Sequence, residues 1–247
     1  MSNSTIGSDA WKTLVFKEPP ARQIKGKRKW THRHLIGCEP LGGLVWVESR
    51  NEYANLIALE YLWRRGRIKR FKPQPFTTSK DDFGREYTPD FMAIDDQECC
   101  YVIESKTARF VAREDEVEFE RLTGRFAEFG MGFQVWTDRT PLIHPLRHNL
   151  QNMRRASAEW IAAEETTRLR DILGASESCS LRSLFDQDVD ITAVFKACWD
   201  GYAYLPLTQV LGEQTLVSAK PMEDLLAHLF GVQPSLASFW DNLLEAA

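Results

Sequence analysis

Cysteine is scarce in this sequence, and its positions follow no pattern typical of a disulfide framework or a zinc site. The chain of 247 residues holds five cysteines, an odd number, at positions 38, 99, 100, 179 and 198. None of them forms a CxxC pair or takes the spacing of Cys/His metal ligands. We therefore expect a protein of a reducing compartment, and the cytoplasm fits best.

Long apolar runs are also lacking. No stretch approaches the roughly 18 apolar residues of a membrane-spanning helix, and the first ten residues, MSNSTIGSDA, are polar. The glycine-rich GxxxxGKS/T and GxGxxG signatures of nucleotide-binding loops are missing as well. These absences argue against a membrane location, a secretory signal and nucleotide binding.

The charge of the chain is distributed unevenly between its two ends. The formal net charge is -4, and 43% of the residues are hydrophobic, as in an ordinary globular protein. The first 72 residues nevertheless hold 15 Lys and Arg against 6 Asp and Glu, whereas the remainder holds 16 against 29. An excess of cations confined to one part of the chain is typical of proteins that bind nucleic acid.

Two basic runs, at residues 22–29 and 64–70, account for most of this excess. Such clusters neutralise phosphates and release counterions, so they predict contact with double-stranded DNA. The alternative is an ordinary solvated surface or tail. The candidate DNA-binding residues are Lys25, Lys27, Arg28, Lys29, Arg33, Arg64, Arg65, Arg67, Lys69 and Arg70.

The pattern of apolar residues divides the chain into a basic N-terminal arm (1–40), an α/β domain (41–145) and a helical domain (146–247). In the α/β domain, Ser49 and Glu52 form a capping-box pattern that opens a helix over residues 50–65. Strands are predicted at 68–71, 87–94, 100–105 and 133–136, with a helix at 114–130 before the last strand. This order indicates an α/β fold with a mixed sheet and flanking helices.

The last hundred residues are predicted to be mainly helical. One or two helices are expected over 146–173, followed by short helices at 181–185 and 191–199 and a β-hairpin over 202–218. Two short helices before a hairpin are the order of a winged helix. Closing helices are expected at 221–231 and 234–245.

A pair of neighbouring strands carries the residues that suggest chemistry. Asp90 stands in the segment TPDF, and Glu104 and Lys106 stand fourteen and sixteen residues later, in VIESK. Residues i and i+2 of a strand face the same side, so Glu104 and Lys106 lie together. If the turn at 95–98 joins the two strands, Asp90 falls near Glu104. Carboxylates so placed hold Mg²⁺ for phosphodiester hydrolysis, and the lysine orients water or stabilises developing charge.

With these motifs in place, the sequence resembles the TnsA family of transposon endonucleases. The resemblance covers about residues 45–140 and rests on four segments in family order, SRNE (49–52), FKPQP (71–75), YTPDF (87–91) and VIESK (102–106). Segments 200–207 and 214–217 are similar to the winged-helix domain of that family. Position 105 departs from the pattern, because it is Ser where relatives usually have an apolar residue.

The resemblance implies a restriction-endonuclease-like sheet of the PD-(D/E)xK type, a C-terminal winged helix and a bacterial cytoplasmic location. It places the catalytic residues at Glu52, Asp90, Glu104 and Lys106. The three acids would bind Mg²⁺, for which Mn²⁺ can substitute. Glu48 and Glu60 are alternatives to Glu52 as the acid contributed by the helix.

The same resemblance implies a function and its partners. Enzymes of this family cut the 5′ ends of a transposon together with a TnsB-like DDE transposase and a TnsC-like AAA+ ATPase. Two alternatives stay open on the residues alone. One is a stand-alone restriction or repair nuclease of the same fold, and the other is a non-catalytic adaptor that bridges DNA or proteins.

Overall fold

The computed structural model describes residues 15–17, 19–21 and 33–231, apart from the side chain of Asp82. Its first two strands, β1 (His34–Cys38) and β2 (Gly43–Val47), form an antiparallel hairpin joined by a 3-10 turn at Glu39–Leu41. Strand β1 lies inside the segment expected to be an irregular arm. Its outward-facing Leu35 is apolar and 45% exposed, so the polar–apolar alternation that reveals a half-buried strand is missing.

Helix α1 (Arg50–Arg64) begins where the sequence predicts. Ser49 is its N-cap, in extended conformation, and the side-chain oxygen of Ser49 accepts a hydrogen bond of 3.0 Å from the amide of Glu52. The reciprocal bond of a capping box is displaced by one residue, because the Glu52 carboxylate accepts from the amide of Glu48 at 2.9 Å. The chain leaves the helix through Gly66, whose φ of +67° is a left-handed conformation that glycine adopts without strain.

A four-stranded mixed sheet forms the centre of the molecule. Its strands are β3 (Ile68–Pro73), β4 (Phe91–Asp95), β5 (Cys100–Lys106) and β6 (Met131–Thr137), in that spatial order. The first two pairings are antiparallel and the last is parallel. The predicted hairpin between residues 87–94 and 100–105 is therefore confirmed, although its first strand begins only at Phe91.

Side chains alternate between two apolar layers on the faces of this sheet. Met92, Ile94 and Val102 face α3 (Arg113–Glu128), which follows the one-turn helix α2 (Lys80–Phe83) in the chain. The neighbouring residues Phe91, Ala93 and Ile103 belong to the other layer, which contains the buried residues of α1. The structure is thus a mixed α/β fold with helices on both faces of the sheet.

The remaining elements are mostly short helices. They are α4 (Leu146–Ala156), α5 (Ala163–Ser176), β7 (Ser178–Ser180), α6 (Leu181–Phe185), α7 (Ile191–Asp200), β8 (Leu216–Ser218) and α8 (Leu225–Phe230). Strand β8 pairs mainly with β7, and the expected hairpin over 202–218 is reduced to one bridge between Tyr204 and Ser218. The predicted helix at 234–245 lies outside the described residues.

One hydrophobic core joins the two regions that the sequence divides at residue 145. Leu56 of α1, Leu150 of α4 and Trp199 of α7 are buried in the same cluster. Among the described residues, no helix combines the length and apolar character needed to cross a membrane.

Candidate active site

The candidate acids meet at one end of the two inner strands of the sheet, where β4 begins and β5 ends. Phe91 is paired with Ile103 across these antiparallel strands, so the next positions outward are Asp90 and Glu104. Alternation places Asp90, Glu104 and Lys106 on the face of Met92 and Val102, which is the side covered by α3. The sequence predicted this placement because it depends only on local strand geometry and a short turn.

The backbone at Asp90 is held by Gln74, which directly follows β3. The amide of Gln74 donates to the carbonyl of Asp90 at 2.8 Å, and the carbonyl of Gln74 accepts from the amide of Ala21 at 2.9 Å. Gln74 is buried and has a φ of +45°, an uncommon conformation for a residue with a side chain. This residue therefore links the edge strand to the start of β4 at the candidate site.

The carboxyl group of Asp90 lies in a strongly unfavourable electrostatic position. Burial raises the pKa of Asp90 well above its usual 3.8, and the nearby charges of Glu104 and Glu52 raise it further. The amide of Ser105, which donates to Asp90 Oδ2 at 2.7 Å, and the charge of Lys106 act in the opposite direction. Asp90 thus has two like-charged neighbours and incomplete neutralisation.

Glu104 is held between two donors. The hydroxyl of Tyr87 donates to Glu104 Oε2 at 2.6 Å, and Lys106 Nζ lies 3.0 Å from Glu104 Oε1. Burial and the Glu104 charge raise the pKa of Tyr87 well above its usual 10, so the phenol stays a donor at neutral pH. Burial alone lowers the pKa of Lys106, but Glu104 and Asp90 outweigh it and the net shift is upward. Lys106 is therefore an ammonium at neutral pH.

Glu52 reaches this end of the sheet from the first turn of α1. Its carboxylate accepts from the amide of Glu48 at 2.9 Å, and its charge is one of the causes of the raised pKa of Asp90. The three predicted acids and the lysine thus belong to one electrostatic cluster, which we call the acidic cluster (Glu52, Asp90, Glu104 and Lys106).

Two asparagines on α1 fix this helix to the end of β5. Asn51 Nδ2 donates to the carbonyl of Lys106 at 2.6 Å, and Asn55 Nδ2 donates to the hydroxyl of Ser105 at 2.7 Å. Arg147 from α4 in turn donates to Asn51 Oδ1 at 2.8 Å. The Ser105 side chain therefore faces α1, away from the face that carries Glu104, and its hydroxyl accepts a partly buried hydrogen bond.

Sequence reasoning missed both asparagines and Tyr87. A signal for the asparagines existed, because two amides one turn apart on the buried face of an amphipathic helix require buried partners. Tyr87 gave no comparable signal, since a tyrosine among apolar residues of a strand is commonly part of the core.

The two alternative helix acids lie in different surroundings. Glu60, two turns beyond Glu52, is fully buried and pairs with Arg154 at 3.1 Å and with Arg64 at 3.8 Å. Burial raises the pKa of Glu60 despite these two arginines. Glu48 pairs with Arg33 at 3.5 Å and supplies the amide that binds Glu52. Of the three acids on this segment, Glu52 is the one whose charge contributes to the raised pKa of Asp90.

The second basic run does not lie beside the acidic cluster. Arg64 and Arg65 stand at the C-terminal end of α1, about 18–20 Å along the helix from Glu52. The guanidinium of Arg65 donates to the carbonyls of Cys198 and Ala203 and stacks on the rings of Tyr61 and Tyr204. This arginine holds α1 against the C-terminal helices.

The other described members of the candidate DNA-binding set also make protein contacts. Arg64 pairs with Glu39, Arg67 with Asp96 and Asp224, Lys69 with Glu98, and Arg33 with Glu48, while Arg70 lies 5.0 Å from the ring centre of Phe16. Lys25, Lys27, Arg28 and Lys29 lie outside the described residues. The described members of the set are thus already engaged with protein groups, and contact of the set with DNA stays a prediction.

The carboxylate oxygens of the acidic cluster are the type of ligand that Mg²⁺ and Mn²⁺ prefer. These oxygens accept hydrogen bonds from protein groups in the structure. Within residues 33–231, no three or more His, Cys, Asp or Glu side chains are arranged so that they could hold a metal ion. Burial raises the pKa of Asp90, however, and the charges of Glu104 and Glu52 raise it further, which reflects a local excess of negative charge that Lys106 does not offset. A divalent cation would relieve it.

Comparison of the whole chain with protein-family models gave no match, and comparison with curated proteins gave none either.

Proposed function

We propose that this protein is a metal-dependent DNA endonuclease of the PD-(D/E)xK type. The observation that carries the proposal is the position of Asp90 and Glu104 across neighbouring strands, with Lys106 paired to Glu104 at 3.0 Å. The charge of Glu52 enters the same cluster from α1. Three acids and one ammonium at the end of two neighbouring strands are suited to phosphodiester hydrolysis.

In this proposal each residue has a defined task. Glu52, Asp90 and Glu104 would each turn an oxygen from its present protein donor to hold Mg²⁺ or Mn²⁺, which would supply an activated water and charge neutralisation at the phosphate. Lys106, an ammonium at neutral pH, would stabilise the negative charge that develops on the phosphoryl oxygens. Tyr87 would fix the orientation of Glu104 through its 2.6 Å hydrogen bond, and Asn51 and Asn55 would fix the end of β5 relative to α1.

The resemblance of the four sequence segments to the TnsA family makes the proposal more specific. We propose that double-stranded DNA at the 5′ ends of a transposon is the substrate and that a TnsB-like transposase and a TnsC-like ATPase are the partners. The restriction-endonuclease-like sheet and the winged helix belong to this proposal. The order α5, β7, α6, α7 and β8, with Tyr204 bridged to Ser218, supports a winged helix.

Cleavage of a donor plasmid tests the proposal directly. With Mg²⁺ and both partner proteins, the wild-type chain should cut at the transposon 5′ ends, and Asp90→Ala and Glu104→Ala should reduce cutting to background. Glu128→Ala, which removes an exposed carboxylate at the far end of α3, should cut like the wild type. Equal cleavage by all four proteins would remove the acidic cluster from consideration as an active site.

The same experiment separates this proposal from a stand-alone nuclease of the same fold. Efficient cleavage by the purified chain without partners would favour the stand-alone enzyme.

A non-catalytic adaptor is the second candidate, and the engagement of Asp90 and Glu104 by protein donors favours it. Calorimetric titration with Mg²⁺ and Mn²⁺ distinguishes the two. The nuclease predicts binding heat that disappears in Asp90→Asn, whereas the adaptor predicts no heat for either protein.

A further inference from the structure

A positively charged pocket of about 580 Å³ lies between the start of β1, the first turn of α1 and the end of α4. Its polar lining includes Arg33, His34, Arg154 and Arg155, and no carboxylate lines it. We call it the Arg155 pocket. Arg64 and Arg65 of the second basic run do not line it, although Arg64 and Arg154 both pair with Glu60.

The arginines of this pocket differ in how far their charge is already neutralised. Arg154 pairs with the buried Glu60 and donates to the carbonyl of Gly37 at 2.7 Å, so it shapes the wall. Arg33 pairs with Glu48 at 3.5 Å. Arg155 is exposed, and its guanidinium makes no hydrogen bond or ion pair with any residue that the structure describes. It therefore supplies a cation that is not used by the fold.

His34 contributes a second unused polar group. Its ring is stacked on Tyr53 with ring centres 5.7 Å apart, which fixes its orientation. Its Nε2 atom is buried and has no hydrogen-bond partner in the described part of the chain. A buried polar atom of this kind is costly unless a ligand or water satisfies it. The pocket thus combines an unpaired cation with a preoriented nitrogen.

The position of the pocket indicates what it binds. Tyr53, in its wall, directly follows Glu52 of the acidic cluster, and Arg33 pairs with Glu48, whose amide binds the Glu52 carboxylate. A strand whose scissile phosphate lay at the acidic cluster would carry its neighbouring phosphates past this end of α1. A cationic pocket beside a carboxylate cluster would hold the polyanion in place against the repulsion of the acids.

We infer that the Arg155 pocket binds a backbone phosphate of the DNA strand that enters the acidic cluster, with Arg155 and His34 as the phosphate ligands. The inference rests on the proposed nuclease function, but it concerns binding and can be tested without cleavage.

The test is fluorescence anisotropy of a labelled duplex in EDTA across a series of KCl concentrations. Loss of one phosphate contact should weaken binding by Arg155→Ala about tenfold and lower the slope of log K against log salt by about 0.9. Arg155→Lys should retain the wild-type slope. Arg125→Ala, which removes an arginine of α3 on the other face of the sheet, should bind like the wild type.

Each outcome bears on the pocket separately from the nuclease. Equal affinity and slope for wild type and Arg155→Ala would overturn the inference, even if the wild type cleaves DNA. Loss of affinity confined to Arg155→Ala would support it, even if no cleavage is found. Millimolar inorganic phosphate at constant ionic strength should compete for the same pocket and weaken binding by the wild type more than by Arg155→Ala, and equal weakening of both proteins would overturn the inference.

Discussion

At the scale of single residues, the carboxyl of Asp90 has the most consequences. It is enclosed beside Glu104 and Glu52, and its main compensating contact is the amide of Ser105 at 2.7 Å. The pKa of Asp90 is raised in the folded chain. Ionising this carboxyl at a pH above its usual pKa of 3.8 therefore lowers the free energy of unfolding. This arrangement of like charges is thus maintained at the expense of stability.

We predict that Asp90→Asn is more stable than the wild type at neutral pH. Below pH 3.8 the carboxyl is protonated in both the folded and the unfolded chain, so the two proteins should unfold alike. As pH rises, the unfolded chain ionises while the folded one resists, and each unit of raised pKa costs the wild type about 1.4 kcal/mol. Thermal unfolding from pH 3.5 to pH 8 measures the gap, and a gap that closes as pH rises would contradict the prediction.

Tyr87→Phe should lower both stability and cleavage. It keeps the aromatic packing against Phe126 and Phe133 but removes the donor to Glu104, and a hydrogen bond to a charged group contributes about 1.5–3 kcal/mol.

A second tyrosine provides a matched control for Tyr87→Phe. Tyr101 donates to Asp95 at 3.1 Å, away from the acidic cluster. Tyr101→Phe should lower stability in urea denaturation but leave cleavage intact. Equal cleavage by both variants would show that Tyr87 has no role in positioning Glu104.

The sequence predicted the residues whose placement depends on local geometry, and it missed those that depend on tertiary approach. Glu104 and Lys106 follow from strand alternation, and Asp90 from a short turn. Asn51 and Asn55 become part of the site only because α1 packs over the end of β5. No periodicity in the sequence encodes that approach.

At the scale of elements, the first turn of α1 determines where Glu52 lies. The Ser49 hydroxyl binds the Glu52 amide, and the Glu52 carboxylate binds the amide of Glu48. The sequence predicted the start of this helix because an N-cap is a local signal. It missed β1, β2 and β7, which are short and are defined by pairing with a neighbouring strand rather than by their own pattern.

Ser49→Ala should cost about 1 kcal/mol of stability through loss of the N-cap, and it should also reduce cleavage because the first turn carries Glu52. Ser180→Ala is the matched control, since Ser180 caps α6 in the same way through the amide of Ser183. Urea denaturation should show similar losses for the two variants. If both also cleave equally well, the Ser49 cap does not position the acid.

At the scale of the whole molecule, the core is continuous across residue 145. Buried side chains of α1, α4 and α7 belong to one cluster, and the buried Glu60 of α1 pairs with Arg154 of α4. The sequence suggested a boundary there because the strands end and helices begin. Composition does not reveal that the following helices complete the apolar layer of the preceding sheet.

We predict that the fragment 1–145 does not fold as an independent unit. Removing α4 and α7 exposes the apolar face of α1, which would create a large hydrophobic patch. The fragment should be insoluble, or should unfold without a cooperative transition in far-UV circular dichroism, while the full chain unfolds in one step. A soluble fragment with a cooperative melt would show that the two regions are separate domains.

Helix α1 connects the acidic cluster with the C-terminal helices. Glu52 lies near one end of the helix. About 20 Å away, at the other end, Arg65 donates hydrogen bonds to the carbonyls of Cys198 and Ala203. A helix of this length bends little, and Asn51 and Asn55 tie its Glu52 end to the end of β5, so a shift of the C-terminal helices would be transmitted along α1 to that strand. A force applied to those helices would therefore displace Glu52 and the end of β5 together, and not one acid alone.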